Sequence, residues 1–198
     1  MTRFVIGAVA GVLLLGGLRF AFAPWDAPTH YHANWAVFID GERLDLTDER
    51  YMEDASACAD RRDVQAADRV HMHDGNHDVV HVHHEGATWG HLMSVLGFGL
   101  GPDYLITDDG RRLFSEDGRT LKFVINGLQV SEIHNRVIRP GDRLVISYGP
   151  ETADQVLAEQ FPQVASNAPE YDRTYDPAGC SGPQRLPLLE RLRAAFWG

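Results

Sequence analysis

The chain is short of positive charge and almost without lysine. Lys122 is the single lysine among 198 residues, and 18 basic residues stand against 28 acidic ones for a formal charge of −10. So acidic a chain offers no basic face to phosphates, which argues against nucleic acid as a partner. Cysteine is nearly as scarce, with Cys58 and Cys180 the only two. No nucleophile motif, phosphate-binding loop or Cys-x-x-Cys pair occurs, so no particular reaction is legible. What remains is ordinary: 44% hydrophobic and 23% charged residues describe a globular chain, neither disordered overall nor a polytopic membrane protein.

Long apolar runs are also missing, except one. After Met1-Thr2-Arg3, the fifteen residues Phe4 to Leu18 are apolar or small. They would span roughly 22 Å as a helix, short of a bilayer core of about 30 Å. Extension through Arg19 to Ala23 supplies the length, with Arg19 able to snorkel and Trp25 at the interface. The expectation is an uncleaved transmembrane anchor over 1–23. A cleaved signal peptide is the alternative, since Ala21-Phe22-Ala23 fits a small-x-small cleavage site. Either way the rest of the chain lies outside the cytoplasm. An oxidising compartment makes a Cys58–Cys180 disulfide plausible, closing about 120 residues and worth about 4–5 kcal/mol. Two unrelated thiols are the other possibility.

Residues 24–34 read as a linker with Pro24, Pro28, His30 and His32, and 35–149 as the folded domain. Trp35–Leu46 has the pattern of a hairpin around Asp40-Gly41. Val70–His83 reads as a second hairpin, turning near Asp74-Gly75-Asn76. Thr88 N-caps a short helix that stops at Gly97. Tyr104–Ile106 is a short strand, and Leu121–Val130 is a third hairpin around Asn126-Gly127. Leu144–Tyr148 is a final strand. Residues 150–198 form a proline-rich tail, with a Thr152/Gln155 capping box opening one helix and Leu188, Leu189, Leu192, Ala195 and Phe196 marking a terminal one.

The run from Val79 to Tyr148 carries a short helix ending in Leu96-Gly97, then Phe123-Val124-Ile125-Asn126-Gly127, then Pro140-Gly141-Asp142-Arg143-Leu144-Val145-Ile146. In these motifs it resembles the ubiquitin-like β-grasp superfamily, in particular the small sulfur carriers. The resemblance implies an α+β fold with a β-grasp-like mixed sheet and a short helix, here preceded by an extra β-hairpin. Sulfur carriers end in Gly-Gly directly after the last strand, whereas Tyr148-Gly149-Pro150 continues, so carrier chemistry does not transfer. The whole layout also resembles membrane-anchored, exported histidine-rich proteins of uncharacterised activity.

The histidines carry the chemistry. Seven of the ten lie between residues 71 and 91, and three His-x-His pairs occur: His30/His32, His71/His73 and His81/His83. In a strand, i and i+2 share a face, so each pair aims two imidazoles at one region. Pairing His73 with His81 and His71 with His83 would place four rings together and turn Met72, Val80 and Val82 to the core. His30 and His32 join them if the linker leads the Trp35 strand alongside. Imidazole suits zinc and copper. The leading expectation is therefore a non-catalytic, membrane-anchored domain that binds divalent zinc or copper through these six residues. A zinc hydrolase or hydratase, with Glu85 or Asp74 as base or supporting carboxylate, is one alternative. A metal-free accessory subunit, docking by a sheet edge or the terminal helix, is the other, and a polar hairpin face or a pH-responsive cluster would look the same in sequence.

Overall fold

The computed structural model describes residues 2–22, 29–53, 66–173 and 188–197. Cys58 and Cys180 lie outside them, so the expected disulfide falls beyond the described residues, as do Pro24, Trp25 and Pro28. The chain divides into two units, Met1–Pro28 with Pro183–Gly198, and Thr29–Gly182. In the first, α1 (Thr2–Phe22) has no acidic residue, and its Val5–Phe22 stretch is long and apolar enough to cross a membrane. A signal sequence passes the same test of length and composition.

The second unit opens with β1 (Tyr31–Ile39) and β2 (Glu42–Arg43). Then come α2 (Ala66–Arg69), β3 (Val70–His71), β4 (Val79–Val82) and α3 (Trp89–Val95). A small sheet of β5 (Gly99–Leu100), β6 (Tyr104–Ile106) and β7 (Arg112–Phe114) follows. Next are β8 (Thr120–Ile125), β9 (Leu128–Val130) and β10 (Arg143–Gly149). Short helices α4 (Ala153–Gln155) and α5 (Ala168–Tyr171) complete it, with a π-turn and a 3-10 turn continuing α4 to Gln163.

The main sheet runs β3-β4-β1-β10-β8-β9, with β2 also on β1. β1 and β10 pair in parallel from Asn34↔Arg143 to Ile39↔Tyr148, while its other pairings are antiparallel. The protein is thus α+β with a mixed sheet. The turns follow from their residues: Asp40-Gly41 and Asn126-Gly127 each hold two successive positive φ angles, the geometry of a two-residue type I′ hairpin. Thr88 caps α3 as expected, accepting from the His91 amide while the His91 ring accepts from Thr88 N.

β1 is buried on both faces, and its alternation sorts the molecule. Odd positions Tyr31, Ala33, Trp35 and Val37 enter the main core with Met72, Val80, Val82 and the α3 residues Trp89, Leu92 and Met93. Even positions Ala36 and Phe38 meet Val124, Val145, Val156 and Val164 in a second apolar cluster. The segment after β10 covers this second face, so residues 150–173 pack as part of the unit. Arg143 holds the segment by donating from Nε to Ala165 O at 3.0 Å and by lying over the Phe161 ring.

Two expectations need correction. Strand β1 starts at Tyr31, so His32 and Asn34 sit in the sheet and not in a linker. The β3–β4 register is Val70↔Val82 and His71↔His81, two residues from the expected His73↔His81 and His71↔His83. Asp74 and Gly75, at φ 59° and 67°, begin the turn immediately after His73, which centres the loop on Asn76 in place of His77. A two-residue slip keeps every side chain on its face. Met72, Val80 and Val82 are therefore buried in the core as expected.

Asn34 ties these pieces together. Its Nδ2 donates to Asp78 O and Asn167 Oδ1, and its Oδ1 accepts from the Ala168 amide, all at 2.9 Å. Asn34→Ala leaves the buried Ala168 amide without its partner, and the expected cost is about 2–4 kcal/mol of unfolding free energy. Urea denaturation at unchanged slope measures it. A loss of less than about 0.5 kcal/mol would show that α5 does not depend on Asn34.

Candidate metal centre

The even face of β1 does not end with Asn34. It continues to His32, with His30 just ahead of the strand, and the neighbouring strands bring matching residues beside them. His32 sits directly opposite His81 across the β1–β4 ladder, and His71 sits opposite His81 on the other side of β4. One imidazole layer results, on the sheet face that carries the second apolar cluster further along. His30, His32, His71, His73 and His81 are all buried, and His83 is half-buried. Ring centroids lie 4.7 Å apart for His30–His32, 4.4 Å for His32–His81, 3.7 Å for His73–His81, 4.7 Å for His30–His83 and 4.9 Å for His71–His83. The structure thus brings together all six histidines expected from sequence.

Carboxylates and carbonyls fix which nitrogen carries the lone pair. His32 Nδ1 is 2.7 Å from Asp172 Oδ1, and His73 Nδ1 is 2.8 Å from Asp74 Oδ2. A carboxylate only accepts, so each Nδ1 donates, and the neutral ring then presents a lone pair at Nε2. His71 Nδ1 donates likewise to Ala67 O at 2.6 Å. The Nε2 atoms of His32 and His73 approach one atom, His81 Nδ1, at 2.9 and 3.0 Å. A single proton on that nitrogen can serve only one of them. A cation placed there satisfies more than one lone pair at once.

His30, His32 and His81 form a buried group whose ligand nitrogens all lie within 4.8 Å of one another, and such a group can hold a metal ion. Tetrahedral zinc with Zn–N of about 2.0–2.1 Å needs nitrogens about 3.3 Å apart. The spacing around His32 and His81 therefore suits one ion after shifts of less than an ångström or two. The Nδ1–carboxylate link of His32 is the arrangement that commonly orients and polarises a metal-bound imidazole.

Asp172 is the residue that sequence reading missed. It comes from the turn after α5, 140 positions from His32, and accepts from both the His32 ring and its backbone N–H. Tyr171 packs against the His32 and His81 rings at 5.6 and 6.2 Å and accepts from Asn76 Nδ2 at 2.8 Å. No local pattern announces either residue. The remaining histidines stand apart from the layer: His77 accepts from Leu46 N, His84 is exposed beside the Glu85 carbonyl, His91 caps α3 and His134 is exposed. Glu85 is exposed as well, while Asp74 takes the supporting position on His73.

Comparison with protein-family models, with curated proteins and with solved structures finds no match. The reading of the site therefore rests on its geometry.

Burial drives His83 well below the usual imidazole range, to about 2, with the nearby His71, His30, His32 and His73 adding to the effect. His71 is also lowered, by burial first and by His73, against a raising contribution from its Ala67 hydrogen bond. Both rings are thus neutral at physiological pH, the state that coordinates metal. The unfolded chain takes up protons on these rings near pH 6.5, above the range in which the folded protein does. Their contribution to stability is complete above about 6.5 and is lost as pH falls below it. The metal-free protein should melt progressively lower between pH 7.5 and 5.5 by calorimetry. A melting temperature that holds level or rises over that interval would contradict the burial of neutral rings.

Proposed function

We propose that this protein is a membrane-anchored, exported domain that binds a divalent transition metal, zinc or copper, without catalysing a reaction. The observation that supports it most is the convergence of the His32 and His73 Nε2 atoms on His81 Nδ1, with both opposing Nδ1 protons engaged by carboxylates. The donors are neutral imidazole nitrogens, which favour zinc, copper(II) or nickel over calcium or magnesium. His30, His32 and His81 would hold the ion, His73 lies next to them, and His71 and His83 complete the layer. Other imidazoles, Tyr171 and the Asp172 carboxylate pack against His32, a set that supports holding an ion.

Anchorage and export rest on α1. Arg3 ahead of its apolar stretch favours retention of that end in the cytoplasm, which puts residues 29–173 on the far side. The β-grasp reading draws support from the parallel β1–β10 pair at the centre of the sheet. The first strand of that pair lies before residue 70, outside the segment that carries the sequence motifs.

Protein purified without a nickel column should contain zinc or copper by elemental analysis. Metal added to the stripped protein should stabilise it by about 2.7 kcal/mol at a hundredfold excess over the dissociation constant. His32→Gln combined with His81→Gln should abolish binding, and Asp172→Asn should weaken it about 10–100-fold. Neither zinc nor copper taken up by the parent, or equal affinity in the double variant, would overturn the proposal.

A further inference from the structure

The chain returns to α1 at α6 (Leu188–Trp197), which belongs to the same compact unit. The Phe196 ring lies directly over Gly16, so closely that a Cβ at position 16 would collide with it. The Arg191 guanidinium lies 5.0 Å from the Phe20 ring. These two contacts fix the direction: as α6 runs from Arg191 to Phe196, it moves from Phe20 back to Gly16, antiparallel to α1. Gly16 is inside the apolar stretch Val5–Phe22, about 9 Å from its Phe22 end at 1.5 Å per residue. A half-bilayer is about 15 Å deep.

From this we infer that α6 is embedded in the leaflet at the Phe22 end of α1, its last turn among the acyl chains. The inference rests on the anchor reading of α1, because the depth of Gly16 sets the depth of Phe196. The occupant of the exposed apolar surface is lipid, continuous with the lipid around α1. Leu188 and Leu189 are each 63% exposed, Leu192 is 37% exposed and Trp197 is 84% exposed, so four large apolar side chains of a ten-residue helix are exposed. The charges fit this placement. Arg191 meets α1 at Phe20, about 3 Å from the Phe22 end, within reach of the headgroups for a long side chain that snorkels. Beyond Arg193 the rest of the helix, Ala194-Ala195-Phe196-Trp197, carries no charge. The protein thereby holds the membrane at two points of its sequence, α1 and α6.

The test uses the full chain with Trp25→Phe, reconstituted in phosphatidylcholine vesicles with or without bromine on the acyl chains. Trp35 and Trp89 are fully buried, so bromine quenching reports Trp197. The expected result is a clear loss of fluorescence in brominated vesicles that disappears when Trp197→Phe is added. Alkaline carbonate extraction of the same vesicles reports the anchor. Retention in the membrane with Trp197 unquenched overturns the embedding of α6 and leaves the anchor standing. Release into the supernatant overturns the anchor, and the inference with it.

Discussion

The cross-strand pair of His32 and His81 is the contact on which the rest of the site depends. It exists because β1 alternates strictly, with Tyr31, Ala33, Trp35 and Val37 turned to one core. That leaves His30, His32, Asn34, Ala36 and Phe38 to the other face. The second face therefore changes character along the strand, from an apolar half beside β10 and β8 to an imidazole half beside β4 and β3. A one-residue slip would send His32 into the Trp35 core and Trp35 into the imidazoles, and the large apolar residues forbid it. The packing of Trp35, Trp89 and Met72 thus sets the position of the histidines as firmly as any polar contact.

Burying such a layer requires that each nitrogen be accounted for. The cover is the segment from α4 to Arg173, whose halves match the halves of the face. Val156, Leu157, Phe161 and Val164 meet the apolar part, while Asn167, Tyr171 and Asp172 meet the polar part. Asn34 stands at the boundary and bonds to both the Asp78 loop and the cover. Loss of the cover would expose the imidazoles and remove the carboxylate that orients His32, so the segment belongs to the site as much as the strands do.

Much of this was legible in the residues. Period-two histidines on strand-like segments mark a shared face, and the Asp-Gly and Asn-Gly pairs mark hairpins because few other residues tolerate two positive φ angles. The Thr88 and Thr152 caps follow from their spacing to a partner three residues on. The β3–β4 register was missed by two residues, since Asp74-Gly75-Asn76 allows more than one loop length. The error preserved parity, so the cluster itself survived it. Asp172 could not be read at all, because a contact across 140 positions depends on where the sheet places both segments. Nor does any hydrophobic pattern distinguish a short strand start at Tyr31 from a linker.

Charge limits what such a layer could hold. Rings 3.7–4.9 Å apart cannot all be protonated, since like charges at that spacing in a buried site repel strongly. Among the described residues, the Asp172 and Asp74 carboxylates bond to rings of this layer. The Asp74 side chain is 75% exposed and largely screened by water, whereas Asp172 is only 25% exposed. Its negative charge therefore lies against the buried His32 ring with less screening. A divalent ion held among these imidazoles would spread its charge over the rings, with the two carboxylates opposing that charge. Coordination would need neutral rings, so acid, which supplies protons to the same nitrogens, would oppose it.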